Sequence, residues 1–206
     1  LPCFIFDPRQ ILKHPYQSQP ALQFMRQSLA DLRQSFQQLD AELALYEGLP
    51  TEVIKQVFQE HRIQAVFVNR DYTPFSRKRD EELARLCQDL DVAFHAVPDY
   101  LLVEPEQAVK SNGSPYHVFT AFYNNARQFV IPLPKRLEKA SFIGVEDESS
   151  IGLSDIVQTE TFDNGVAGGR RQALAILATL DKLTDYQAQR DYPGLDATSR
   201  LSAHLK

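Results

Sequence analysis

The chain has 206 residues, 43% of them hydrophobic, and carries a formal net charge of −5 with a pI near 5.5. That length suits one large domain or one domain plus a piece, and the apolar share supports a packed core. The negative balance excludes a global nucleic-acid footprint, so any DNA contact would need a local basic patch. No apolar run approaches the ~20 residues of a membrane-spanning helix. The opening run, Leu1 to Phe6, is too short for a signal peptide. Starting inside a strand-like run and without Met, the chain reads as a trimmed segment. The two cysteines, Cys3 and Cys87, lie far apart with no metal spacing and read as reduced core thiols of a cytoplasmic protein.

Cys3 to Phe6 is a continuous apolar run closed by Asp7-Pro8, the pattern of a buried parallel strand. Ser18 and Pro20 open a helix whose apolar face is Leu22, Met25, Leu29, Leu32, Phe36 and Leu39. Leu43 to Tyr46 is a second strand, stopped by Gly48 and Pro50. Val53, Ile54, Val57 and Phe58 mark a second helix that ends near His61. Ala65 to Val68 is a third strand; Leu83, Leu86 and Leu90 mark a third helix; Val92 to Val97 is a fourth strand. Strands alternating with helices predict an α/β fold with a doubly wound parallel sheet.

Sheets of this kind take ligands beyond the C-terminal ends of their strands. Those ends are Asp7-Pro8-Arg9, Glu47-Gly48, Asn69 to Tyr72 and Pro98-Asp99. None is a Gly-x-Gly-x-x-Gly or Walker loop, which argues against an ordinary dinucleotide or ATP site. Asn69-Arg70-Asp71-Tyr72-Thr73-Pro74-Phe75 is the richest end. Tyr72 and Phe75 can stack on a flat ring, and Arg9 or Arg70 can meet a phosphate or carboxylate. A turn and N-cap before a helix starting near Ser76 explains the same residues equally well.

Pro132 and Pro134 end the α/β part, and residues 135–163 read as a long connection with a local turn at Ile151 to Ser154. Gly168-Gly169 then opens a helix carrying Ala173, Leu174, Leu177, Leu180, Leu183 and Tyr186, a stripe expected to face a core. Tyr186 and Arg190, one turn apart, can leave that core and meet a ligand. Pro193-Gly194 breaks the pattern before a cluster of hydroxyls, Thr198, Ser199 and Ser202, with Arg200 among them. Hydroxyls, backbone N–H groups and a guanidinium suit a phosphate. A loop leading into an N-cap fits them as well. His14, His61, His95, His117 and His204 show no ligand spacing, and no metal is expected.

Arg190-Asp191-x-Pro193, followed by Thr198-Ser199-x-Leu201-Ser202-x-x-Leu205, resembles the start of the FAD-binding helical domain of the photolyase/cryptochrome family. Asn69-Arg70-Asp71-Tyr72-x-Pro74 with Arg77-Lys78-Arg79-Asp80, and Gly113-Ser-Pro115-Tyr116-His-Val-Phe119-Thr120-Ala121-Phe122, look like that family's antenna domain. The resemblance implies a Rossmann-like antenna domain over 1–130, a linker over 131–163, and over 164–206 the first helices of an all-α flavin domain. It implies FAD held at its diphosphate by Thr198, Ser199, Arg200, Leu201 and Ser202, with Tyr186 touching FAD and Arg190 on the DNA-facing side. It makes Arg9, Arg70, Tyr72 and Phe75 candidates for an antenna chromophore.

The implied activity is deoxyribodipyrimidine photolyase, light-driven repair of cyclobutane pyrimidine dimers, with damaged DNA as partner of the full-length parent. Catalytic residues and oligomeric state stay open. The chain alone is expected neither to retain FAD nor to repair DNA. A cryptochrome-type blue-light receptor and a plain nucleotide-binding α/β module are the alternatives. Ser76 stands where folate-binding members place a carboxylate, which favours deazaflavin or FMN over folate. The family's Thr-Pro-Phe reads Thr120-Ala121-Phe122 here, and its following tryptophan is Ala126. The family's first strand, normally between Cys3–Phe6 and Ala65–Val68, precedes Leu1. Without it, those two strands are expected either to pair directly or to leave a gap.

Overall fold

The computed structural model describes residues 1–12, 17–99, 101–131, 133, 141–142 and 165–205. Most of the connection expected over 131–163, its turn at Ile151 to Ser154, and His14 lie outside the described residues. The chain forms two compact units, one of Leu1–Gln56 with Ala140–Lys206 and one of Val57–Lys139.

In the first unit, β1 (Cys3–Phe6) pairs in parallel with β2 (Ala44–Glu47), placing Cys3 opposite Ala44 and Phe6 opposite Glu47. A single turn, α1 (Pro8–Ile11), follows β1, capped by Asp7. The long helix α2 (Gln19–Gln37) starts where Ser18 accepts a hydrogen bond from the Ala21 N–H, with Pro20 in the first turn, where its missing N–H costs nothing. Leu22 and Leu29 of α2 pack on Phe6, Ile11, Leu43 and Leu45, with Phe4, Met25 and Phe36 at the margin. Leu32 and Leu39 stay exposed, against the expected stripe. Leu39 lies beyond the helix end at Gln37. A sheet of four-residue strands spans only ~13 Å, against ~28 Å for α2, and cannot cover the whole stripe. Helix α3 (Pro50–Glu60) buries Val53, Ile54 and Val57, as its apolar spacing requires.

In the second unit, β3 (Ala65–Asn69) pairs in parallel with β4 (Ala93–Val97), Ala65 opposite Ala93 and Asn69 opposite Val97. Helix α4 (Pro74–Asp89) packs against this pair through Leu83, Leu86 and Cys87. It begins at Pro74, two residues before the expected start near Ser76, because Thr73 caps it. Helix α5 (Phe119–Ala126) buries none of its residues.

The parallel α/β pairing is as expected, with β1–β2 in the first unit and β3–β4 in the second. Cys3 is not a core thiol; it is exposed on β1, while Cys87 is buried.

The expected helix through Tyr186 breaks into α6 (Arg170–Leu177), a 3-10 turn (Leu180–Lys182) and α7 (Tyr186–Gln189). Its stripe faces no core: Leu174, Leu177, Leu180 and Tyr186 are exposed. Thr179 marks the break, its hydroxyl donating back to the Ile176 carbonyl at 2.7 Å. Helices this short rely on packing for stability, and without a buried face they do not extend. Among the described residues, no helix is long and apolar enough to cross a membrane.

Candidate functional site

The end of β3 is a dense polar cluster. Asp71 accepts hydrogen bonds from the Thr73 N–H at 3.0 Å and the Ser76 hydroxyl at 2.9 Å, while the Thr73 hydroxyl accepts the Ser76 N–H at 3.2 Å. The first turn of α4 is thus closed by its own chain. Burial alone would raise the Asp71 carboxyl, but these bonds outweigh it and hold the group below its ordinary value. Ser76 is 2% exposed and turned toward Asp71, so its hydroxyl is not offered to the strand-end crevice.

Arg70 lies with its guanidinium 5.0 Å from the centre of the Tyr72 ring. It donates to Glu104 at 3.4 Å and also to Glu106. The Tyr72 hydroxyl donates to the same Glu104 carboxylate. Burial and then that hydrogen bond push the Tyr72 phenol up to about 12. Glu104 is set by a tight turn: the Gln107 N–H reaches its carbonyl at 2.9 Å, and the Gln107 side chain accepts its N–H at 3.1 Å. Asn69 donates to Asp99 at 3.2 Å. An open cleft of about 270 Å³ beside the cluster is lined by Arg70, Asp71, Arg77, Asp80, Glu81, Ala84, Phe94 and Ala96. Phe75 is half-buried.

Of the four antenna candidates, Arg70, Tyr72 and Phe75 belong to the second unit, and Arg70 and Tyr72 are in contact. Arg9 belongs to the first unit, where its Nε donates to Asp7 at 2.9 and 3.1 Å and its terminal nitrogen at 2.6 Å. Sequence reasoning missed Glu104 and Glu106. They lie 34 and 36 residues beyond Arg70, in a turn whose local pattern shows nothing of its partner.

The second candidate site is the hydroxyl turn of the first unit. Ala197 and Leu201 are buried and anchor it. Arg200 takes a left-handed conformation, φ 54°, just before the 3-10 turn Leu201–Ala203. Its guanidinium donates to Asp196 at 2.9 Å, and the Leu201 N–H donates to the Ser199 hydroxyl at 3.3 Å. Thr198 and Ser202 are exposed. Arg190 lies 5.8 Å from the centre of the Tyr186 ring, and its Nε is 3.8 Å from Asp191. His204 lies against Phe24, ring centres 5.0 Å apart. Among the described residues, no group of three or more His, Cys, Asp or Glu side chains could hold a metal ion.

Parallel strand–helix units with polar side chains gathered at the β3 end define an α/β protein, the class in which ligands are generally taken beyond the C-terminal strand ends. Residues 1–138 match the DNA photolyase family model, and the chain belongs to that family. It is 28% identical to a deoxyribodipyrimidine photo-lyase of Synechococcus sp., over 98% of this chain and 44% of that protein. It is 24% identical to cryptochrome-1 of Drosophila melanogaster, over 90% of this chain and 40% of that one. A crystal structure of an archaeal photolyase from Sulfolobus tokodaii with two FAD molecules superposes with a TM-score of 0.79 at 32% identity, covering 100% of this chain and 45% of that one. The chain thus spans less than half the length of these relatives.

Proposed function

We propose that the chain is part of a deoxyribodipyrimidine photolyase, a lyase that uses FAD and light to repair cyclobutane pyrimidine dimers in DNA. The observation that carries this reading is the reach of the Synechococcus match. It spans 98% of the chain, through both the α/β region and the hydroxyl turn. A plain nucleotide-binding module would account for the first alone. The cryptochrome match is weaker in both identity and reach, which favours repair over signalling.

In this reading residues 1–130 are the antenna domain, 131–163 the linker and 164–206 the opening of the flavin domain. The hydroxyl turn has the donor types a diphosphate takes: Thr198, Ser199, Ser202 and the Arg200 guanidinium. Arg200 is bridged to Asp196, and both ends are more than half exposed. Such a pair is worth ~0–1 kcal/mol, so a phosphate can replace it. Leu201, buried behind the turn, fixes its geometry. Tyr186 would flank the cofactor and Arg190 would meet the DNA backbone. Bound flavin supplies the light-driven electron chemistry. The residues of this chain position it. The β3 end, with Tyr72 and Phe75 as stacking rings and Arg70 beside them, would take an antenna chromophore, deazaflavin or FMN before folate. The free thiols of Cys3 and Cys87 fit a reducing cytoplasm.

The test is to express the whole protein that contains this chain in photorepair-deficient cells. Light-dependent survival after ultraviolet exposure, with flavin absorbance in the purified protein, is the expected result. Flavin without rescue would favour a blue-light receptor.

A further inference from the structure

We infer that Glu104 and Glu106 set the charge specificity of the β3-end site, turning it against ligands that carry a phosphate near Tyr72 and Arg70. The inference rests on the antenna reading of that site and narrows it: of the two chromophores proposed there, it disfavours FMN and favours a ring with no charged group at that point. An arginine at a strand end ordinarily marks a place for an anion. Here both sides of the guanidinium are already taken, by Glu104 at 3.4 Å and by Glu106. The Glu104 carboxylate also accepts the Tyr72 hydroxyl, which fixes the ring beneath the guanidinium. One cation and two carboxylates leave this network with a net charge of −1. An incoming phosphate must displace a carboxylate or sit beside it, and either costs affinity. A planar ring without a charged group at that point meets no such cost, because it can stack on the Tyr72 face opposite the guanidinium. The turn closed by Gln107 holds Glu104 in place before any ligand arrives, so the charge is preorganised.

The experiment compares riboflavin and FMN, the same ring with and without a phosphate, by flavin fluorescence quenching on the 206-residue chain. The proteins are wild type, Glu106→Gln and Glu104→Gln/Glu106→Gln. Glu106 is 62% exposed, so its single variant tests the idea without risk to folding. Riboflavin should bind wild type more tightly than FMN. The FMN-to-riboflavin affinity ratio should rise in Glu106→Gln and by about tenfold in the double variant. An unchanged ratio overturns the inference. The network is read separately, without ligand, from the Tyr72 ring resonance by NMR titration. Its midpoint should fall from about 12 in wild type toward the ordinary 10.0 in Glu104→Gln. An unmoved midpoint means the contact is not made in solution, and the inference falls whatever the flavins do. A shifted midpoint with no binding of either flavin to any protein locates the failure in the antenna reading, and the specificity inference falls with it.

Discussion

The Asp31 carboxylate of α2 accepts both the backbone N–H and the side-chain Nε of Arg171, 140 residues further along the chain. Arg171 is the second residue of α6, so a carboxylate from a distant helix satisfies one of the free N–H groups that open this one. Beside it the Gly168 N–H donates to Gln27 at 2.8 Å. Both contacts need the two glycines. A Cβ at Gly168 would lie 2.2 Å from the Phe24 carbonyl oxygen, and Gly169 has φ +111° against the Asp31 side chain. The segment leading to Tyr186 and the hydroxyl turn is pinned to α2 at this point.

Asp31→Ala should therefore destabilise the chain by ~1–3 kcal/mol, since it leaves a helix-terminal N–H and a guanidinium without their acceptor. Gly168→Ala should cost a similar ~1–3 kcal/mol by forcing α6 off α2. Urea unfolding followed by circular dichroism measures both. A midpoint equal to wild type for Gly168→Ala would show that α6 does not dock there in solution.

The same carboxylate gives a pH dependence. Burial works to raise the Asp31 pKa, but the hydrogen bonds and charge of Arg171 outweigh it and hold it below its ordinary 3.8. A depressed folded-state value means the stabilisation is fully present above the unfolded value and is lost as pH falls through the folded one. Acid unfolding of wild type below about pH 4 should be steeper than that of Asp31→Asn. Parallel acid curves would contradict the assignment.

Much of this architecture was legible in the chain itself. Four apolar runs became β1 to β4, and Ser18 caps α2 as its type and position require. What stayed hidden depends on distant partners. The leucines of 174–180 have helical spacing, yet spacing states only that a stripe exists, not that a surface covers it. Nothing in the local sequence around Asp31, Glu104 or Glu106 marks a partner. Each acquires its role from an arginine far away in sequence. The Tyr186–Arg190 contact was legible because it is local, one helical turn within the same segment.

The purified 206-residue chain should carry no stoichiometric FAD. Cofactor sites bury ~70–90% of their ligand's surface. Tyr186, Thr198 and Ser202 are all exposed, so among the described residues these three would leave a bound cofactor open to solvent. Absorbance near the flavin bands after desalting decides it. Tight one-to-one FAD would mean that the described residues enclose the ring after all.

Arg190 is expected to contact DNA backbone in the full-length protein. Its side chain is 51% exposed, and its partner Asp191, at 3.8 Å and 82% exposed, holds it weakly. The Tyr186 ring 5.8 Å away orients the guanidinium without neutralising it. With a chain-wide net charge of −5, any DNA binding would depend on such local cations rather than on the overall field. Arg190→Ala should weaken binding to a dimer-containing duplex and lower the salt slope by about one. Flavin content should not change if Arg190 touches DNA alone. Loss of FAD in the variant would instead place Arg190 with Tyr186 at the cofactor, and an unaltered salt slope would remove it from the DNA interface.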